Sequence, residues 1–154
     1  MTVKLDLSGV KQLRSRLEQV ALHQVDVGFL DSQAHPAEPP GGLNLPSIAL
    51  IQEMGAPEAN IPERPFMTET FRTSGAFQFA KRALQLIFRG AGTDVRHSLF
   101  SRLGKFVALE MSRNIKDWSE PANAPKTVAK KGFNDPLIET GFMRDNVKHR
   151  VKRR

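Results

Sequence analysis

Apolar and polar positions along this chain change period several times, and each change marks an element. "TVKLDL" alternates Val3, Leu5 and Leu7 with Lys4 and Asp6, the period of two of a half-buried strand over residues 2–7. From Ser8, a candidate N-cap, the spacing turns helical. Val10, Leu13, Leu17 and Val20 share one stripe, and Lys11, Arg14, Arg16 and Glu18 lie off it, which predicts an amphipathic helix over 8–21. Val25, Val27 and Phe29 alternate again, giving a second strand near 24–30, with Gly28 marking a bulge or a close backbone approach.

Residues 31–46, "DSQAHPAEPPGGLNLP", show no period and read as an extended Pro/Gly-rich loop or arm. A stretch of that length without structure of its own is uncommon in a compact domain unless it serves assembly. "PSIALIQEM" then reads as a short helix with Pro46 in its first turn and Gly55 as a left-handed C-cap. The connector that follows is stiff. Pro57 stops the helix, Pro62 keeps Ile61 extended, and Pro65 suits the first turn of the next helix, so Phe66 is held in a fixed direction. The spacing Pro62-x-x-Pro65 also matches a ligand for an SH3-like groove, a pattern frequent by chance.

Residues 66–88 read as one helix with Phe77, Ala80, Leu84, Ile87 and Phe88 as its buried stripe and a bend at Ser74-Gly75. "RGAG" breaks it. Thr93 is positioned to cap a helix over 94–117 that buries Phe100, Leu103, Val107, Met111, Ile115 and Trp118. The two long elements are expected to pack as a helical hairpin, with the aromatic stripes forming core rather than a ligand box. A short helix follows between a cap at Asn123, Pro125 in its first turn and Gly132. Then come a turn at "FNDP", a sharp bend at Gly141, and a last strand carrying Val147 and Val151. On that strand Lys148, Arg150 and Lys152 fall on the face opposite the valines. The expected fold class is α+β: a small mixed or antiparallel sheet packed against a long helical hairpin, with a Pro-rich arm, in one domain spanning 1–154. No internal repeat is present.

Composition adds bounds. A chain of 154 residues fits one domain, and at that size folding buries ~68–70% of the unfolded chain's surface. There is no cysteine, so neither disulfides nor thiolate chemistry is available. The N-terminal residues lack the apolar run of a signal peptide, and no stretch approaches the ~20 apolar residues that span a bilayer. The net charge of +7 is concentrated in the basic C-terminal strand and tail, 144–154, where six cations face one acid, Asp145. Lys148, Arg150, Lys152, Arg153 and Arg154 are therefore candidates to face DNA phosphates or an acidic protein surface.

Catalytic constellations are not apparent. His23, His35, His97 and His149 are scattered, without the two-His helix spacing of a zincin. Neither a G-x-S-x-G elbow nor a P-loop occurs. Asp135, Glu139 and Asp145 crowd one region and could gather a metal for nuclease chemistry, but charged turn residues account for them. The expectation is a protein that is not an enzyme, with no cofactor, no metal and no catalytic residue.

Four short motifs in order carry a resemblance: Glu53-Met54-Gly55, Ile61-Pro62-Glu63-Arg64-Pro65-Phe66, Pro125-Lys126-Thr127 with Lys131-Gly132, and Pro136-Leu137-Ile138-Glu139-Thr140-Gly141. Together with the opening strand–helix–strand they resemble the tail-completion or neck (head–tail joining) proteins of tailed bacteriophages, also described as minor tail or virion morphogenesis proteins. The resemblance covers most of the chain. Met54 departs from it, standing where an aromatic is usual, and the chain closes on "KRR" where relatives continue into more strand. The resemblance implies a structural virion protein. It would form a homo-oligomeric ring, for instance a hexamer, between portal/adaptor or head-closure proteins and tail terminator or tube proteins. Non-specific contact with packaged DNA is implied as well, and no membrane. Its place would be the neck or head-proximal tail, after assembly in the bacterial cytoplasm. Gly55, Pro62, Pro65, Phe66 and Gly141 would be its structural connector. The alternative is a basic, non-specific DNA-binding protein.

Overall fold

The computed structural model describes residues 7–30, 42–90 and 93–153. Its elements in order are α1 (Ser8–Ala21), β1 (His23–Gly28), α2 (Leu45–Met54), α3 (Phe66–Thr73), α4 (Ala76–Phe88), α5 (Thr93–Asp117), α6 (Pro125–Lys131), α7 (Phe142–Asp145) and β2 (Lys148–Arg153). A 3-10 turn at Pro57–Ala59 joins α2 to the connector. The α+β class is as expected, and the sheet is antiparallel: β1 pairs with β2 from His23↔Arg153 to Gly28↔Lys148. The strand expected over 2–7 and the arm over 31–41 lie outside the described residues, as do the Thr93 side chain and Arg154.

The long helix α5 organises everything else. The sheet lies across its middle, where Gly104 makes the contact possible. A Cβ on Gly104 would sit 2.8 Å from His149 Cδ2 and 2.9 Å from Val25 Cγ1. His23 on the same sheet face stacks on Phe100 of α5, with ring centroids 5.0 Å apart. Two apolar clusters flank this seat. The larger joins Leu45 and Ala49 of α2, Phe66 of α3, Met111 and Ile115 of α5, Leu137, and Met143 of α7. The smaller joins Ala83 and Ile87 of α4 to Leu99 of α5, with Val20, Phe79 and Phe100 packed around them. Leu99 and Ile115 are sixteen residues apart on one helix, so the clusters sit ~24 Å apart at ~1.5 Å per residue.

Several local expectations are corrected. The helix expected over 66–88 is two helices, because Ser74 is extended (φ −64°, ψ 150°) and Gly75 restarts the chain as the N-cap of α4. That restart rotates the buried face. Ala76, Ala83 and Ile87 are buried, whereas Phe77 is 74% exposed and Phe88 is also exposed. Small alanines let α4 lie close to α5. The helical hairpin is present with its first arm broken. Ser8 is not the N-cap of α1: Leu7 holds that place, with no side-chain cap. Pro65 is likewise the N-cap of α3 rather than a first-turn residue. Asn123 does not cap α6, since Ala124 stands at that position. Gly55 has φ 72° but an extended ψ of 170°, so it is not a left-handed C-cap. What requires glycine there is space as well as φ, because a Cβ would lie 2.8 Å from the Glu63 backbone nitrogen. Gly132 (φ 82°, ψ 0°) does end α6 in the left-handed conformation, and Gly141 (φ 80°, ψ −4°) turns the chain into α7.

Candidate functional site

Two buried charges fix the connector, and they define a site that joins distant parts of the sequence. Pro65 has no side-chain acceptor to cap α3. Glu53, at the end of α2, supplies it instead. Its carboxylate accepts from the backbone N–H of Met67 (2.8 Å) and of Thr68 (2.9 Å), and from Thr68 Oγ1 (2.7 Å). An anion at a helix N-terminus satisfies orphan donors and opposes the positive end of the macrodipole. Glu53 is only 7% exposed, and these three bonds are what make its burial tolerable.

Arg64 is the second charge, at 4% exposure. Its backbone N–H donates to Gln52 O (2.8 Å) and its Nη1 to Gln52 Oε1 (2.7 Å). Nε donates to Pro121 O (3.0 Å) and Nη2 to Ala122 O (3.3 Å). The guanidinium thus ties the end of α2 to the loop before α6. Burial holds its pKa below the ordinary arginine value. Carbonyl dipoles, not a carboxylate, balance the charge: among the described residues it has no ion pair. Next to it Phe66 is fully buried, edge-on to Phe29 at 6.2 Å. Asn114 of α5 donates to Phe66 O (2.9 Å) and to Thr70 Oγ1 (3.1 Å), locking α3 onto α5.

These bonds bring the four motifs together around one groove of about 610 Å³. One wall is Ile48, Gln52, residues 60–62 and Arg64. The second is α6 with Asn123 and Ala124, and the third is residues 136–143. Lys126, Lys130 and Lys131 make the lining basic, against Glu139. Lys131 is itself engaged: Nζ donates to Asp135 O (2.6 Å) and lies 4.9 Å from the Phe133 ring centroid. Burial lowers its pKa, offset in part by Glu139 and Asp135. Asn123 donates its backbone N–H to Asn134 Oδ1 (3.0 Å), while its Nδ2 is buried without a partner. Asp135 and Glu139 therefore act on Lys131. Asp145 pairs instead with Arg144 at 2.6 Å, and that bond holds its carboxyl below the usual range. Among the described residues no three His, Asp or Glu side chains gather as a metal site.

The basic C-terminal row is real but not uniform. Lys148, Arg150 and Lys152 share a face, opposite Gly28, Asp26 and Gln24 of β1. Asp26 lies within that row and takes Lys152 as an ion pair at 2.6 Å. The Lys152 hydrogen bond, helped by one from Gln24, holds the Asp26 carboxyl below its ordinary value. Arg153 pairs across from His23, on the other face, so it does not extend the row.

Of the residues expected to form the connector, Gly55, Pro62, Pro65 and Phe66 lie in the connector itself. Gly141 stands across the groove from them, in the 136–143 wall. Glu53 and Arg64 stood in the motifs without an assigned role. Their partners are 12 to 58 residues away, beyond any local spacing rule. Comparison with known protein families, characterised proteins and solved structures found no match for this chain.

Proposed function

We propose that this chain is a structural component of a tailed-phage neck or tail-completion complex. In this reading it assembles as a ring that joins the capsid portal or adaptor to the tail. The observation that carries the reading is the convergence of the four motifs. Segments up to 88 positions apart, from Glu53 to Gly141, build one latch and groove whose buried bonds serve rigidity. A rigid wedge is what a closed ring needs from each subunit, since the angle between neighbours sets closure. The latch residues are spent on holding backbone, with no nucleophile–base pair among them, so the reading is not enzymatic. The groove and the Lys148/Arg150 side of β2 are the surfaces offered to portal, tail-terminator or tube proteins, or to packaged DNA.

Removing the coding sequence from the phage genome tests this. The expected result is DNA-filled heads and finished tails that remain apart. Intact infectious particles without the protein would overturn it. Stand-alone DNA binding, the second reading, draws on the basic row, and the Asp26–Lys152 pair weakens it. A salt-dependent gel shift with the isolated chain on short duplex DNA would favour it, with a slope that tracks the number of phosphates neutralised.

A further inference from the structure

Helix α1 is amphipathic, yet its apolar stripe is not what attaches it. Arg16 Nη1 donates to Phe88 O (2.7 Å) and Val20 packs on the Ala83–Ile87–Leu99 cluster. Those contacts lie on an edge rotated ~70° from the stripe at ~100° per residue. Val10, Leu13 and Leu17 face outward, with Val10 63% exposed. A second uncovered stripe runs along α2, where Leu50 and Met54 (67% exposed) follow one another at i,i+4, with exposed Leu43 before the helix. Each stripe has a charged border, and the signs differ. Lys11 and Arg14 border the first. Glu58 and Glu63, exposed and without an ion pair among the described residues, border the second.

We infer that the α1 stripe of one copy docks on the α2 stripe of a second copy of this chain. The two surfaces sit at opposite ends of α5, so they cannot meet within one molecule. The contact they make is head-to-tail, the kind that propagates and closes by rotation. Opposite borders favour this pairing over α1 on α1, which would place Lys11 and Arg14 against themselves. The inference rests on the ring reading above and names its interface.

The absence of cysteine makes the test clean. Leu13→Cys and Leu50→Cys both fall on exposed positions, and their separation forbids a bond within one chain. Under mild oxidation the double variant should give a ladder of linked species beyond the dimer. Each single variant should stay unlinked, and a mixture of the two singles should give dimer only. Leu13→Glu should weaken self-association ~tenfold or more, since it removes a buried leucine from the contact. Dimers of Leu13→Cys alone, or of Leu50→Cys alone, would mean a symmetric contact and overturn the inference. An unlinked double variant in a protein that is oligomeric by mass would also overturn it, while leaving the ring reading in place. An unlinked double variant in a protein that stays monomeric would count against both.

Discussion

The two ends of α5 solve the same problem differently. At the C-terminal end, four helices and the connector close over Phe66, Met111 and Ile115, all fully buried, and two buried charges tie the parts together. At the N-terminal end, the cluster is built on Ala83, Ile87 and Leu99, and the elements around it leave Val10, Leu13, Leu17 and Phe77 in solvent. The first end is complete in a single chain. The second is thin, and its apolar surface is accounted for by contact with another molecule. Stability and assembly therefore reside in different places, and mutations at the two ends should separate them.

Phe66→Ala should be the most damaging change, costing ~3–5 kcal/mol through loss of a large buried side chain and the cavity left behind. Urea unfolding of the purified variant measures it. Phe77→Ala sharpens the contrast: the same chemical change on an exposed position should stay within ~0.5 kcal/mol. A large loss at Phe77 would mean that the α4 face is covered in the isolated chain. Glu53→Ala should come next, at ~1–3 kcal/mol, because it orphans the donors at the start of α3. Hydrogen exchange should show the loss as faster exchange at Met67 and Thr68. Arg64→Lys should not rescue Arg64→Ala, since one ammonium cannot reach Gln52, Pro121 and Ala122 together. Gly104→Ala should cost ~1–3 kcal/mol by pushing the sheet off α5, and a looser sheet would appear as raised exchange at Val25 and Val151.

The smallest effect concerns pH. The Asp26 carboxyl is held below its unfolded value by Lys152 and Gln24. Its folded pKa is depressed, so its contribution is fully present above the ordinary carboxylate range and is lost as pH falls through the folded value. Asp26→Asn should therefore be slightly less stable than the parent at pH 7 and equal to it in strong acid. A difference that persists in acid would point to packing rather than charge. Glutamate replacement of Lys148, Arg150 and Lys152 together should leave the fold intact and abolish head–tail joining. Normal joining by that variant would remove this face from the interface.

Element types were legible because periods of 3.6 and 2 survive in α1, β1, α5 and β2. The phase of α4 was not. Phe77 and Ala83 both fit helical stripes, and only the restart at Gly75 decides which one faces α5. The motifs around Glu53, Arg64 and Gly141 were visible as patterns. Their joint geometry was not, because a carboxylate capping a helix fourteen residues away leaves no periodic trace. Asp26 inside the basic row was likewise hidden, since it depends on the register between strands at opposite ends of the chain.

The central claim is that the chain is one wedge of a closed ring whose uncovered apolar faces are covered by its own copies. Native mass spectrometry of the purified protein across a concentration series tests it most directly. The account predicts a single closed copy number that stops growing at high concentration and falls apart with Leu13→Glu. A monomer at every concentration, or a series that grows without limit, would contradict it.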